Sequence, residues 1–255
     1  MNVASLLATD LGKAFSSSAG TVLAVDGLSF SVAPGEIFGL LGPNGAGKTT
    51  TLRMLATILS PTTGTAEVAG FDIRAQPAQV REHIGFVAAE TGLYDRFTAR
   101  ETLRFFGRIT GLGDADIDRR TRHIFDLLAL TEIADRRVGT FSTGEKQKLS
   151  LARSIVHDPP VLILDEPTFG LDVMAARAVT ESIRLFRAQG RTIVLSTHIL
   201  RIAEKLCDRI GILHRGRLCA SGTLHELCST YEREDLEEVF FAVAAPVNAS
   251  DDAGM

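Results

Sequence analysis

Three short segments hold side chains whose types and spacing can do chemistry together. Gly42-Pro43-Asn44-Gly45-Ala46-Gly47-Lys48-Thr49-Thr50 fits the G-x-x-x-x-G-K-[ST] phosphate-binding loop, in which successive backbone N–H groups surround a phosphate chain. Gly42, Gly45 and Gly47 let the backbone approach closely, and the helix that follows aims its positive N-terminal end at the phosphates. Lys48 supplies a mobile ammonium for the β- and γ-phosphates, and the Thr49 hydroxyl suits Mg²⁺. Far downstream, Val161-Leu162-Ile163-Leu164 ends in Asp165-Glu166. In a parallel sheet those carboxylates arrive at the ligand crevice, Asp165 to hold Mg²⁺ through water and Glu166 to polarise an attacking water as general base. The third segment, Phe141-Ser142-Thr143-Gly144-Glu145, places a hydroxyl and a glycine at a helix start, with Glu145 completing a capping box, and so offers a second anion site.

The elements that must position these groups read as an α/β chain. Residues up to about Val32 look like short alternating strands, with a turn in Ser16–Gly20. Glu36–Leu41 is a buried strand running into the glycine loop, and Thr49–Leu59 is a helix stopped at Ser60-Pro61. Strand-like pieces follow at Thr65–Val68 and Ile84–Ala88. From Thr98 to Leu130 the apolar period lengthens to about 3.6, as in a helical insertion. Alternation then resumes with a helix at Ser142–His157, strand Val161–Leu164, helix Val173–Gln189, strand Thr192–Ser196 and helix Ile199–Cys207. A hairpin of Arg209–Leu213 and Arg217–Ala220 turns at His214-Arg215-Gly216. The folded domain is placed at 1–243, its helical part at about 90–145, with a small, acidic, disordered tail from Ala244 to Met255.

Composition narrows the function classes. With 255 residues the chain can bury a sizeable core, and 45% hydrophobic with 23% charged residues is ordinary for a soluble globular protein. A net charge of −4 gives no electrostatic reason to expect a nucleic-acid partner. Cys207, Cys219 and Cys228 lack metal-site spacing and read as reduced, partly buried thiols. No apolar run approaches the about 18 residues of a membrane span, and the N-terminus lacks the basic start of a signal peptide. Any membrane role comes through a partner.

Taken together and in this order, the segments resemble the ATP-binding cassette (ABC) ATPases of transporters, over about residues 5–230. Phe141-Ser142-Thr143-Gly144-Glu145 is similar to the family's Leu-Ser-Gly-Gly-Gln signature, matching at Ser142 and Gly144 and departing at Phe141, Thr143 and Glu145. Gly170-Leu171-Asp172 resembles its D-loop, and His198 in Thr197-His198 its switch histidine. The resemblance implies a P-loop NTPase fold with an antiparallel β-subdomain and a helical subdomain. It also implies Mg²⁺-dependent hydrolysis of ATP at two composite sites of a head-to-tail dimer. In such a dimer Ser142 and Gly144 of one copy cap the nucleotide of the other, Asp172 crosses the interface and His198 contacts the γ-phosphate. Phe15 is the candidate to stack on adenine. The family's Mg²⁺-binding glutamine after Ile84–Val87 is missing: Ala89 stands in its place, leaving Glu90, Thr91 or a water as the ligand. Tyr94, Phe97 and Phe105 are apolar candidates for the groove that receives a short helix of the membrane subunit.

Within the family, Gly85-Phe86-Val87, Gly92–Arg96 and Asp235–Phe240 look most like cassettes of the ABC-2 exporter group, NatA-type sodium exporters above all. That implies a cytoplasmic subunit, peripheral on the membrane through a permease, exporting sodium or alternatively a drug, lipid or polysaccharide. A soluble ABC ATPase of ribosomes or DNA usually has tandem cassettes or a long coiled-coil insertion, and neither is present. A GTPase reading lacks an Asn-Lys-x-Asp segment, and a binding-only module is opposed by intact Lys48, Asp165, Glu166 and His198.

Overall fold

The computed structural model describes residues 5–17, 20–89 and 92–244. Two long strands, β1 (Leu6–Ser17) and β2 (Gly20–Val32), take the place of the short strands expected at the N-terminus. Their antiparallel register shifts between Ala8 and Leu11 and again around Lys13, so bulges bend a continuous hairpin where the sequence suggests breaks. Asp10, at φ 48°, sits in this irregular stretch, and its amide donates to the Ser29 hydroxyl at 2.9 Å. Of the turn expected in Ser16–Gly20, Ser16 and Ser17 belong to β1 and Gly20 to β2, and residues 18 and 19 lie outside the described residues.

The chain then forms β3 (Ile37–Leu41), α1 (Lys48–Leu55), β4 (Thr63–Val68), β5 (Phe71–Asp72), α2 (Pro77–His83) and β6 (Ile84–Val87). Helix α1 stops at Leu55, short of the expected Leu59. Thr57 turns left-handed at φ 57°, and the amides of Thr57, Ile58 and Leu59 fold back onto the carbonyls of Met54 and Arg53. The long-period block forms α3 (Ala99–Ile109) and α4 (Asp114–Leu128). They cross closely because Gly107 has no side chain: a Cβ there would lie 2.8 Å from Ile117 Cγ1. Beyond them come α5 (Thr143–Ser154), β7 (Val161–Asp165), α6 (Val173–Ala188), β8 (Thr192–Thr197), α7 (Leu200–Leu206), β9 (Arg209–His214), β10 (Arg217–Gly222), α8 (Leu224–Tyr231) and α9 (Leu236–Ala244). Ala244, placed in the tail by sequence, thus ends a helix; residues 245–255 lie outside the described residues.

One sheet is antiparallel, in the order β2-β1-β4-β5. The other runs β10-β9-β3-β8-β7-β6, with β9, β3, β8, β7 and β6 mutually parallel and β10 antiparallel at the edge. Every residue of β3, β7 and β8 is buried, as continuous apolar strands covered on both faces should be. Leu103, Phe125, Leu149, Leu164 and Ile183 bind the helical block to one face of this sheet. Leu28, Val68, Phe38, Leu40 and Leu52 pack the antiparallel sheet and α1 against the other. Register places Leu41 beside Thr197 and Asp165 beside Ser196, so the C-terminal ends of β3, β7 and β8 open side by side. Among the described residues no helix is long and apolar enough to cross a membrane.

All three cysteines are free thiols. Cys207 and Cys228 are partly buried as expected, whereas Cys219 is exposed on an edge strand, which corrects the sequence reading. The Cys207 sulfur packs over Gly39, where an added Cβ would approach it to 2.5 Å, and burial pushes its thiol up to about 12. A maleimide added to the native protein is therefore expected to modify Cys219 first and to leave Cys207 untouched until the protein unfolds. Peptide mass spectrometry of a labelling time course reads this, and Cys207 modified ahead of Cys219 would contradict it.

Candidate active site

The phosphate loop is shaped by what its backbone touches. A Cβ on Gly42 would lie 2.4 Å from the Leu213 carbonyl oxygen, and one on Gly47 2.5 Å from that of Ala24. Gly45 and Gly47 have φ of 80° and 102°, conformations that favour glycine. Pro43, Asn44 and Gly45 form the exposed tip, while Ala46 is buried and its carbonyl accepts the Gly216 amide at 3.0 Å. Gly47 is the N-cap of α1 and brings no side-chain cap, so the first-turn amides remain directed at an anion. Thr50, on that same turn, is half-buried.

Lys48 is buried with its ammonium nitrogen donating to the carbonyls of Gly42 at 2.7 Å and Pro43 at 3.1 Å. Its third neighbour is Glu166 Oε1 at 3.3 Å. The other carboxylate oxygen, Oε2, is 3.0 Å from His198 Nδ1. A carboxylate only accepts, so Nδ1 carries the proton and donates. The structure thus gathers the three residues that sequence assigned to catalysis, Lys48, Glu166 and His198, around one carboxyl group.

Beneath them, Asp165 Oδ1 accepts the Thr49 hydroxyl at 3.0 Å and the Ser196 hydroxyl at 2.7 Å. Ser196 Oγ in turn accepts the Glu166 amide at 2.9 Å. Glu166 adopts φ 48°, a conformation costing about 1–3 kcal/mol for a non-glycine residue and kept only where surroundings enforce it. This turn is what sends Glu166 away from Asp165. Sequence reasoning missed Ser196; the available signal was a hydroxyl next to the strand's end in an otherwise apolar run, Ile193-Val194-Leu195.

The signature segment behaves as its capping pattern dictates. Ser142 Oγ accepts the Glu145 amide at 3.2 Å, and Glu145 Oε2 accepts the Ser142 amide at 2.7 Å. Glu145 also meets Arg136 at 3.3 Å, whose guanidinium lies 5.4 Å from the centre of the Phe141 ring. Ser142, Gly144, Glu145 and Lys148 line an open cavity of about 720 Å³ together with Thr131 and Ala175. None of Lys48, Asp165, Glu166 or His198 lines this cavity, so the signature segment stands apart from the Glu166 cluster. Asp172 is occupied as the N-cap of α6, accepting the Ala175 amide at 2.8 Å.

Phe15 is exposed on β1 opposite Val22, with Lys13 Nζ 5.3 Å from its ring centre. Its partner Val22 stands two residues along β2 from Ala24, the residue that abuts Gly47. Glu90 and Thr91 lie outside the described residues. Tyr94, Phe97 and Phe105 form an aromatic cluster with ring centres 5.1–5.8 Å apart, Tyr94 and Phe105 being exposed.

The profile of the ABC transporter family matches residues 25–169. The ABC transporter ATP-binding protein NatA of Bacillus subtilis (strain 168) is 40% identical over 235 residues, covering 92% of this chain and 96% of that protein. The Nod factor export ATP-binding protein I of Paraburkholderia xenovorans (strain LB400) is 44% identical over 223 residues, covering 88% and 73%. Among solved structures, an ATP-binding subunit of an ABC transporter superposes with a TM-score of 0.82 at 32% identity, over 93% of this chain and 98% of that one. The cassette MJ0796, solved as a dimer bound to ADP and Pi, shares the fold, with a TM-score of 0.78 at 21% identity over 86% and 98%.

Proposed function

The chain belongs to the ABC transporter family as its ATP-binding subunit, and from that premise we propose that it hydrolyses ATP with Mg²⁺ and drives an ABC-2 type exporter. The observation that carries this reading is the Glu166 carboxylate held between Lys48 and His198, beside the glycine loop.

A nucleotide with Mg²⁺ fits the residues present. Lys48 is a buried cation whose carbonyl partners are backbone groups, so it can turn toward phosphate without leaving a carboxylate behind other than Glu166. Thr49 and Asp165 converge as hard oxygen donors, the set Mg²⁺ takes when phosphates and waters complete its shell. Among the described residues there is no group of three or more His, Cys, Asp or Glu that could hold a metal ion. Thr49 and Asp165 would hold Mg²⁺, which when bound would supply neutralisation of the phosphate charge. Glu166 orients a water and takes its proton, and His198 holds the carboxylate on one side and the γ-phosphate on the other. Glu90 remains the proposed further ligand, and Phe15 the proposed adenine contact.

The separation of the signature segment from the Glu166 cluster supports a second copy, or a homologous cassette, in head-to-tail arrangement. Ser142 and Gly144 of one copy then close over the phosphates held by Lys48 of the other, and Asp172 lies between them. The aromatic cluster of Tyr94, Phe97 and Phe105 supports docking of an integral-membrane permease, which would hold the subunit on the cytoplasmic face of the cell membrane. Export is the direction that the Nod factor relative's name gives for that protein, and it is proposed for this chain with sodium as the first cargo to try.

Tagged Glu166→Gln protein, recovered from native membranes with ATP present and analysed by mass spectrometry, tests the transporter reading. A multi-span membrane protein in stoichiometric amount is expected. An ATP-bound dimer with no membrane partner, or one attached to ribosomes, would sink it.

A further inference from the structure

The turn that carries Glu166 is pinned from the signature helix. Gln147, buried on α5, donates its side-chain Nε2–H to the carbonyl of Pro167 at 2.8 Å. A carbonyl only accepts, which fixes the amide with its NH₂ toward Pro167. Around that bond, the Glu166 amide donates to Ser196 Oγ at 2.9 Å, and the Glu166 carbonyl accepts the Phe169 amide at 3.0 Å. Three hydrogen bonds from three directions therefore hold the left-handed backbone of Glu166, and of these the one from Gln147 originates outside the parallel sheet and the turn itself.

Gln147 is five residues beyond Ser142 on a continuous helix, a rigid separation of about 7.5 Å along the axis. Gly144 packs against Ala175 so tightly that a Cβ would come within 2.8 Å of its methyl. That end of α5 is thus packed firmly against α6; Glu145 and Lys146 reach Arg136 and Asp95 from its exposed side, and the Gln147 bond is what joins it to the Glu166 turn.

We infer that Gln147 is a positioning residue: it transmits the placement of the signature helix to the Glu166 carboxylate of the same chain. A phosphate engaged by Ser142 and Gly144 at one half-site then sets the hydrolytic group of the other. The inference rests on the reading of Glu166 as general base.

The test uses the full-length chain and four variants: Gln147→Leu, which removes the donor, Gln147→His, which keeps an N–H at similar reach, Ser142→Ala, and the double variant of Gln147→Leu with Ser142→Ala. Gln147→Leu is expected to lower kcat about tenfold or more, since misplacement on the order of 1 Å costs up to about 100-fold. Equilibrium ATP binding should stay within about twofold, and Gln147→His should recover most of kcat. The double variant should be no slower than the worse single one, because both act along one path. Should Gln147→Leu fail to fold, Gln147→Met carries the same comparison. A kcat within twofold of the parent, additive losses in the double variant, or ATP binding and thermal stability falling in step with kcat would each overturn the inference. Glu166→Gln assayed alongside separates the claims: activity surviving there sinks the assignment of Glu166, whereas activity lost there but kept in Gln147→Leu sinks only the role of Gln147.

Discussion

Replacing Glu166 with glutamine is expected to slow ATP hydrolysis by about 100- to 10,000-fold while ATP binding is kept or strengthened. Glutamine has the same shape and keeps an oxygen that can face Lys48 or His198, so the turn and its hydrogen bonds need not move. What it cannot do is take a proton from water. The ground state responds in the opposite sense. Glu166 is a carboxylate 3.3 Å from the ammonium that a phosphate chain needs, and it adds negative charge beside the phosphates themselves. Neutralising it releases Lys48 and removes that repulsion. Single-turnover hydrolysis and equilibrium binding, measured on the same preparation, separate the two effects. With ATP present, light scattering should find a dimer that persists instead of decaying. A kcat within tenfold of the parent would remove Glu166 from the chemistry and direct attention to His198.

Much of this site was legible in the sequence because it is specified by backbone constraints over a few residues. Gly42 and Gly47 of the phosphate loop are required by carbonyls of Leu213 and Ala24 that approach too closely for any Cβ. Asp165 and Glu166 end a strand with no polar residue before them, and His198 follows another, so parallel pairing alone brings them together. The supporting groups were not legible in the same way. Ser196 and Gln147 act through single long-range hydrogen bonds, which leave no periodic trace. The same contrast holds for the fold. Buried strands such as Val161–Asp165 announce themselves by continuous apolarity, but β5 and α2 do not: α2 buries only Val80 and begins at Pro77. The hairpin of β1 and β2 read as short strands because bulges interrupt its alternation. Helix α8 carried a usable signal, since Thr223 and Glu226 form a capping box, and α9 follows it with Leu236 and Val239 buried.

The second large effect should come from a residue that does no chemistry. Gly47→Ala is expected to weaken ATP binding at least about 100-fold, a loss of about 2.7 kcal/mol, and to lower the unfolding temperature by about 4 °C or more. Two costs add. At φ 102° an alanine pays about 1–3 kcal/mol of backbone strain. Its Cβ would also lie 2.5 Å from the Ala24 carbonyl oxygen, which belongs to the paired strand β2, and 3.5 Å from Gly216 Cα. Overpacking of that kind costs about 1–3 kcal/mol more. Because Gly47 is also the N-cap of α1, relief of the clash tilts the first-turn amides that must face the phosphates, and Lys48 with them. Gly45→Ala is the matched control. Gly45 has φ 80°, but an added Cβ there would meet nothing within 4 Å, so it bears the backbone cost without the collision. Calorimetric titration with ATP and thermal unfolding of both variants decide the matter. If Gly45→Ala is as damaging as Gly47→Ala, strain alone governs the loop; if Gly47→Ala binds ATP within about threefold of the parent, the close packing of β2 against the phosphate loop is not what shapes the site.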